Sequence, residues 1–286
     1  SGARIVNGRA RFIDNHHVKV GEQVYSAAKV VIATGSWPFV PDFPGNELAV
    51  TSNEFFFLKS LPKKAVVLGG GYIAIEMAGI LNGLGVDTTL VYRGDLFLRG
   101  FDEEVRVFVK EQVLNKGIRL QFNDNICSLE KDAEGLIDVS FDSGASASVD
   151  LVLSATGRKP NTQDLGLENL AVALNARGEI VVDETFCSAV ENIYALGDVT
   201  GGMQLTPVAL AEGAYLAQHL FGDGAVQAAV DYQNIPTAVF CQPNIATVGL
   251  SEEQARASYE EIEAAANAAH GLGKKVRAHA ASKRAI

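Results

Sequence analysis

Hydrophobic and polar positions change rhythm twice along this chain. From Ala3 to Val31, short apolar-polar runs are broken by Gly and Asn: Ala3–Asn7, Arg11–Asp14, Val18–Gly21, Gln23–Tyr25 and Lys29–Ala33. Runs of this length predict a small antiparallel meander. Pro38, Pro41, Pro44 and Gly45 then predict a rigid, non-helical crossing between domains. From Lys59 the runs lengthen. Ala65–Leu68 reads as a buried strand that enters Gly69-Gly70-Gly71, and Tyr72–Leu84 as a helix. In that helix Ile73, Met77 and Ile80 share a face, and small Ala74 and Ala78 permit close packing.

Thr88–Tyr92, Glu103–Asn115 and Ile118–Leu120 continue as strand, helix and strand, and imply a parallel sheet with right-handed crossovers. A hairpin follows, with arms Leu136–Phe141 and Ser148–Leu153. Strands are expected near Ile180–Val182, Asn192–Leu196, Thr237 and Ile245–Leu250, with a helix over Pro207–Leu220. Glu260–Ala269 has helical propensity but a thin apolar face, in a tail rich in alanine and basic residues.

Length and charge narrow the function. At 286 residues and 48% hydrophobic content, about two domains with real cores are expected. The 34 acidic residues against 24 basic ones give a charge of -10, with no basic tract of the kind that follows a phosphate backbone, so a nucleic-acid partner is not expected. Apolar runs are strand-sized, so no membrane span is expected either. The chain opens without a charged-then-apolar leader, which favours a cytoplasmic location. Cys127, Cys187 and Cys241 have neither zinc nor disulfide-framework spacing, and each reads as a buried, inert thiol.

Leu68 to Ala74 fits GxGxxG/A between a strand and a helix, the context that gives this motif meaning. Gly69 would allow the turn, and Gly71 the approach of a pyrophosphate to the helix N-terminus. The second strand ends in Tyr92-Arg93 with no acid at its tip. Arg93 and Arg99 could bracket a 2′-phosphate, which favours NADPH over NADH; Asp95 offers the competing ribose role.

Two strands end alike, at Ala33-Thr34-Gly35 and Ala155-Thr156-Gly157, a shape suited to passing under a nucleotide. Arg158 could reach the cofactor, with a surface ion pair as the plainer alternative. Asp198, after Gly197, could accept hydrogen bonds from ligand hydroxyls or cap a turn.

Jointly these stretches, with Gly69–Glu76, Arg93–Asp102, Ala155–Arg158, Tyr194–Asp198, Leu205–Pro207, Pro236–Phe240 and Ile245–Gly249, resemble the pyridine nucleotide-disulfide oxidoreductases, specifically the glutathione reductases. The resemblance implies an α/β fold of two interleaved Rossmann-like nucleotide-binding domains, the FAD domain incomplete. Residues 1–58 and 181–235 would be FAD-binding pieces, 59–180 the NAD(P)H-binding domain, and 236–286 the start of an interface domain with an atypical tail.

It further implies FAD and NADPH as cofactors, glutathione disulfide as substrate, and a homodimer. Asp198, with Gly197, would bind the FAD ribityl chain, and Leu205 and Thr206 would lie beside the flavin ring. Tyr72, next to Ile73, would cover the nicotinamide pocket, and Glu76 would pair with a lysine outside this chain. Members often carry another basic residue directly after the first arginine, where this chain has Gly94. The resemblance also calls for a CxxxxC redox pair and a His-Glu pair, and no residue here is assigned to either. Trypanothione, mercuric and dihydrolipoyl reductases, or a catalytically silent NADPH-binding module, are the alternatives.

Overall fold

The computed structural model describes residues 2–222 and 229–260. At its centre lies a four-stranded parallel sheet in the order Leu151–Ser154, Lys64–Leu68, Asp87–Tyr92 and Arg119–Phe122. Helices Tyr72–Gly83 and Glu103–Asn115 make the crossovers. Both sheet faces are covered, which explains why the runs Ala65–Leu68, Leu90–Tyr92 and Leu151–Leu153 are apolar throughout rather than alternating. Ala65, Val67, Leu90 and Leu153 pack on the helices through Ile75, Met77, Leu81 and Val109. Their strand neighbours Val66, Leu68, Val91 and Val152 face the other way, onto Leu129, Val139 and Phe141.

That second cover is an antiparallel sheet of Ile126–Lys131, Ile137–Phe141 and Ser146–Val149. The expected arm Ser148–Leu153 therefore divides into two strands. Asp150 makes the break: its Oδ2 accepts hydrogen bonds from the Lys63 and Lys64 N–H groups at 3.0 and 2.7 Å, and Leu151 then joins the parallel sheet.

A second core surrounds Phe12, Ile32, Leu167, Ile180, Ile193 and Ala195. The meander Ala10–Phe12, His17–Val20 and Gln23–Ser26 forms as expected from its turns, whereas Ala3–Asn7 forms no strand. Val30–Ile32 pairs in parallel with Ile193–Ala195, and Ser36–Pro38 pairs antiparallel with Arg158–Pro160. The proline-rich crossing thus begins inside a strand that ties two sequence-distant turns together. The strand expected near Ile180–Val182 reduces to one bridge between Leu174 and Ile180.

Helix Thr206–Phe221 and hairpin Thr237–Val239 with Ile245–Thr247 complete the described elements, followed by a helical stretch at 252–260. Val239 and Cys241 bury themselves in the helix-side core of the central sheet. Apart from Glu260, the expected helix Glu260–Ala269 lies outside the described residues.

Candidate dinucleotide site

The glycine loop is built by two strand ends that leave no room for side chains. Gly69 donates to Val91 O at 2.9 Å, and Ala155 donates to Leu68 O at 2.8 Å. Gly69 has φ of +144°, and a Cβ there would overlap the Ala155 carbonyl and lie 3.2 Å from the Ala74 Cβ. Gly71 is different. It caps the helix at φ −89° and ψ 176°, and a Cβ there would meet nothing within 4 Å. The unpaired N–H groups of the helix start therefore face open space, the arrangement that favours an anion.

That space is a cavity of about 540 Å³, within the usual range for a small-molecule site. Gly69, Gly71, Tyr72, Ile73, Arg93, Arg99, Thr156, Gly157 and Arg158, nine of the expected binding residues, share its wall. Asp95, the competing ribose acid, does not line it. Arg93 and Arg99 are exposed, and their side chains have no hydrogen bond or ion pair among the described residues. The loop carrying them is held firmly. Arg106 donates from Nε to Phe97 O at 2.7 Å and from Nη2 to Leu96 O at 2.6 Å, Leu98 N–H bonds Gly70 O at 2.7 Å, and Phe97 is fully buried.

A second cleft, about 410 Å³, opens beyond Tyr72 and is lined by Ala33, Gly35, Ile73, Gly197, Asp198 and Thr206 among others. Tyr72, Ile73, Arg158 and Gln204 line both spaces, so Tyr72 stands between them. Burial pushes the Tyr72 hydroxyl above its ordinary value; Glu76 and Asp198 add to this and Arg158 opposes it. Tyr72 therefore stays a neutral ring at physiological pH.

Asp198 Oδ2 accepts from Ser36 Oγ at 2.6 Å, while its Oδ1 has no partner among the described residues. Arg158 donates from Nε to Ser36 Oγ and from Nη2 to Ser36 O, both at 2.7 Å, with Asp198 3.8 Å from Nε. Its guanidinium thus organises the junction between the two spaces. The donor set fits two anionic or hydroxyl-rich ligands: an anion cradle at Gly71, and a free carboxylate oxygen beside positive-φ Gly35.

Some expected residues are spent on structure. Thr34 Oγ1 donates to Asn161 O at 2.8 Å, and Thr156 Oγ1 to Phe39 O at 2.7 Å, so each threonine ties its turn to a distant segment. Thr34 and Glu76 line neither space. Glu76 Oε1 instead accepts from Phe240 N–H at 2.8 Å, joining the glycine-loop helix to the hairpin. Leu205 lies on a wider adjoining groove with Thr237, Thr247 and Gln254.

Sequence reasoning missed Ser36, Gln204 and Glu212. Buried Glu212 accepts from Gly197 N–H and from Tyr232 OH, both at 2.7 Å, and so fixes the Gly197–Asp198 turn. An acid inside an alanine-rich helix at Leu210-Ala211-Glu212 was the only available signal.

Glutathione reductase from Nostoc sp. is 41% identical over 268 residues, covering 90% of this chain and 58% of that protein. The chloroplastic/mitochondrial glutathione reductase of Pisum sativum is 42% identical, covering 92% of this chain and 47% of that protein. Trypanothione reductase of Trypanosoma congolense is 41% identical, with 85% and 50% covered. The solved structure of RclA, an HOCl-induced flavoprotein disulfide reductase of Escherichia coli, superposes with a TM-score of 0.83 at 32% identity, covering 88% of this chain and 58% of that one.

The chain thus spans about half the length of the curated relatives it matches. The family model for the dimerisation domain of pyridine nucleotide-disulphide oxidoreductases matches residues 235–283. The main family model matches residues 1–213, most of the chain, and the protein belongs to the pyridine nucleotide-disulphide oxidoreductases.

Proposed function

We propose that this chain is the NADPH-binding core of a flavoprotein that reduces glutathione disulfide. Residues 59–180 would hold NADPH, 1–58 and 181–235 would contribute to an FAD site, and 236–286 would begin a homodimer interface. The observation that carries the reading is the pair Arg93 and Arg99. Both stand unpaired on the wall of the glycine-loop cavity, where no acid is present to select a free ribose. Two guanidinium forks suit a 2′-phosphate dianion.

In this reading Gly71 and the helix start at Tyr72 bind the pyrophosphate, and Tyr72 closes the passage toward the Asp198 cleft. Asp198 Oδ1 is free to accept from a ribityl hydroxyl, while Arg158 and Glu212 hold its turn in place. Gly35 and Gly197 leave the cleft floor bare, and Leu205 and Thr206 flank it. When bound, NADPH and FAD supply hydride transfer toward a disulfide. The protein's own share is to orient the two ligands and to keep water from the space between them.

Among the described residues no helix is long and apolar enough to cross a membrane. Of the three thiols expected to be buried, Cys241 is, whereas Cys127 is exposed and Cys187 half-buried; all three are unpaired, which suits a reducing, cytoplasmic setting.

The test is the flavin absorbance of the purified protein, with its coenzyme oxidation measured in the presence and absence of glutathione disulfide. Bound flavin and a preference for NADPH over NADH are expected, with disulfide-dependent consumption only where a CxxxxC pair and a His-Glu pair are supplied as well. A colourless protein that still binds NADPH would sink the holoenzyme reading for this chain and leave a nucleotide-binding module.

A further inference from the structure

Glu212 is 2% exposed, and no cation pairs with it among the described residues. A carboxylate so far from water needs a donor at each oxygen. It has one at each: Oε2 accepts from Gly197 N–H and Oε1 from Tyr232 OH, both at 2.7 Å. The two donors belong to different parts of the chain. Gly197 opens the turn that carries Asp198. Tyr232 lies just ahead of residue 235, where the match to the dimerisation domain begins.

The segment around Tyr232 is moored at several points. Asp231 accepts from Gln233 N–H at 3.0 Å and from the Asn234 side chain at 2.7 Å, and Phe240 N–H donates to Glu76 at 2.8 Å. Residues 231–240 are therefore tied to helix Thr206–Phe221 through Glu212 and to helix Tyr72–Gly83 through Glu76. Burial, and the Glu212 carboxylate beside it, push the Tyr232 hydroxyl above its ordinary value, so it stays a proton donor at physiological pH. The turn closes on itself at its other end, where Thr200 Oγ1 donates to Gly197 O at 2.8 Å and Gly201 N–H to Asp198 O at 3.2 Å. Glu212 supplies the tie from its first N–H to the helix.

We infer that Tyr232 is a positioning residue for the Asp198 turn, acting through Glu212, so that seating the segment that leads into the interface domain orders that turn. The turn's importance to a ribityl chain rests on the FAD reading; the coupling itself does not. Without the Tyr232 hydroxyl, Oε1 is charged, buried and lacks a donor. The carboxylate regains hydration only by swinging out of its place against Gly197 N–H. One hydroxyl on the entering segment thus governs a turn in the nucleotide-binding core.

The experiment follows amide hydrogen exchange by NMR on the full chain without added ligand, for wild type, Tyr232→Phe, Glu212→Gln and the double variant. Phenylalanine keeps the ring and removes only the hydroxyl. Glutamine can still accept from Gly197 N–H and donate to the Tyr232 oxygen, with no buried charge. Tyr232→Phe should speed exchange at Gly197 by about 10- to 100-fold, while Ala195, whose N–H bonds Phe186 O, stays within about threefold. In the Glu212→Gln background the same change should cost less than about fivefold, because no charge is left behind. An unchanged Gly197 amide, a loss shared equally by Ala195, or an equal effect in both backgrounds would overturn the inference. FAD titration by fluorescence quenching tests the ribityl reading separately: a wild-type chain that binds no FAD would overturn that reading, and the exchange data would still decide the coupling.

Discussion

Gly69 and Gly71 belong to one motif, yet the structure gives their methyl groups opposite consequences. Alanine at 69 must adopt φ near +144° and push its Cβ into the Ala155 carbonyl, with the carbonyl carbon 2.8 Å away. The backbone strain costs about 1–3 kcal/mol, and parting two packed strand ends costs about 1–3 kcal/mol more. Gly69→Ala should therefore lose about 2–6 kcal/mol, a fall in melting temperature of about 4–24 °C.

Alanine at 71 meets nothing and keeps an allowed φ of −89°. Its stability cost is that of a weaker helix cap, within about 1 kcal/mol. Its methyl group would nevertheless stand where the pyrophosphate must approach, and the affinity for NADPH should fall at least about tenfold. Thermal denaturation and calorimetric NADPH titration on both variants give the readout. If Gly71→Ala melted as early as Gly69→Ala, or kept full affinity, the assignment of its open face to the ligand would be wrong.

Two further predictions concern what supports the site. Arg106→Met removes both hydrogen bonds to the Leu96 and Phe97 carbonyls while keeping the aliphatic stem. NADPH affinity should drop about 3- to 10-fold by loosening the Arg93–Arg99 loop, NADH affinity should hold, and an equal loss of both would make the role merely structural. Burial pushes the Asp124 carboxyl up, but hydrogen bonds from Ser143, Gln121 and Asn125 outweigh it, and the net value lies below the ordinary 3.8. Its contribution is present above pH 3.8 and lost as the pH falls through the lower folded value. The stability gap between wild type and Asp124→Asn in urea should accordingly shrink in acid, and a gap independent of pH would contradict this.

The most legible parts of the sequence were those whose causes are local. Helix Glu103–Asn115 forms over the expected span because its apolar period and its flanking turns lie within it. The glycine loop could be read because a turn, a close backbone approach and a helix start each demand a small residue at a fixed spacing. What escaped depends on partners far along the chain. Asp150 ends one strand and starts another because of Lys63 and Lys64, and Ser36 matters because Arg158 and Asp198 meet at it. Thr34 and Thr156 are expected from their turns to contact ligand, but Asn161 and Phe39 claim their hydroxyls. No local pattern announces such pairings.

The claim on which everything else depends is that the glycine-loop cavity selects a 2′-phosphorylated dinucleotide through Arg93 and Arg99. Calorimetric titration of the wild-type chain and Arg93→Ala with NADPH and with NADH tests it directly. A preference for NADPH of about a hundredfold, falling about tenfold or more in Arg93→Ala while NADH binding is unchanged, is the predicted result. Equal affinities for the two coenzymes in the wild type, or a preference indifferent to Arg93, would contradict it.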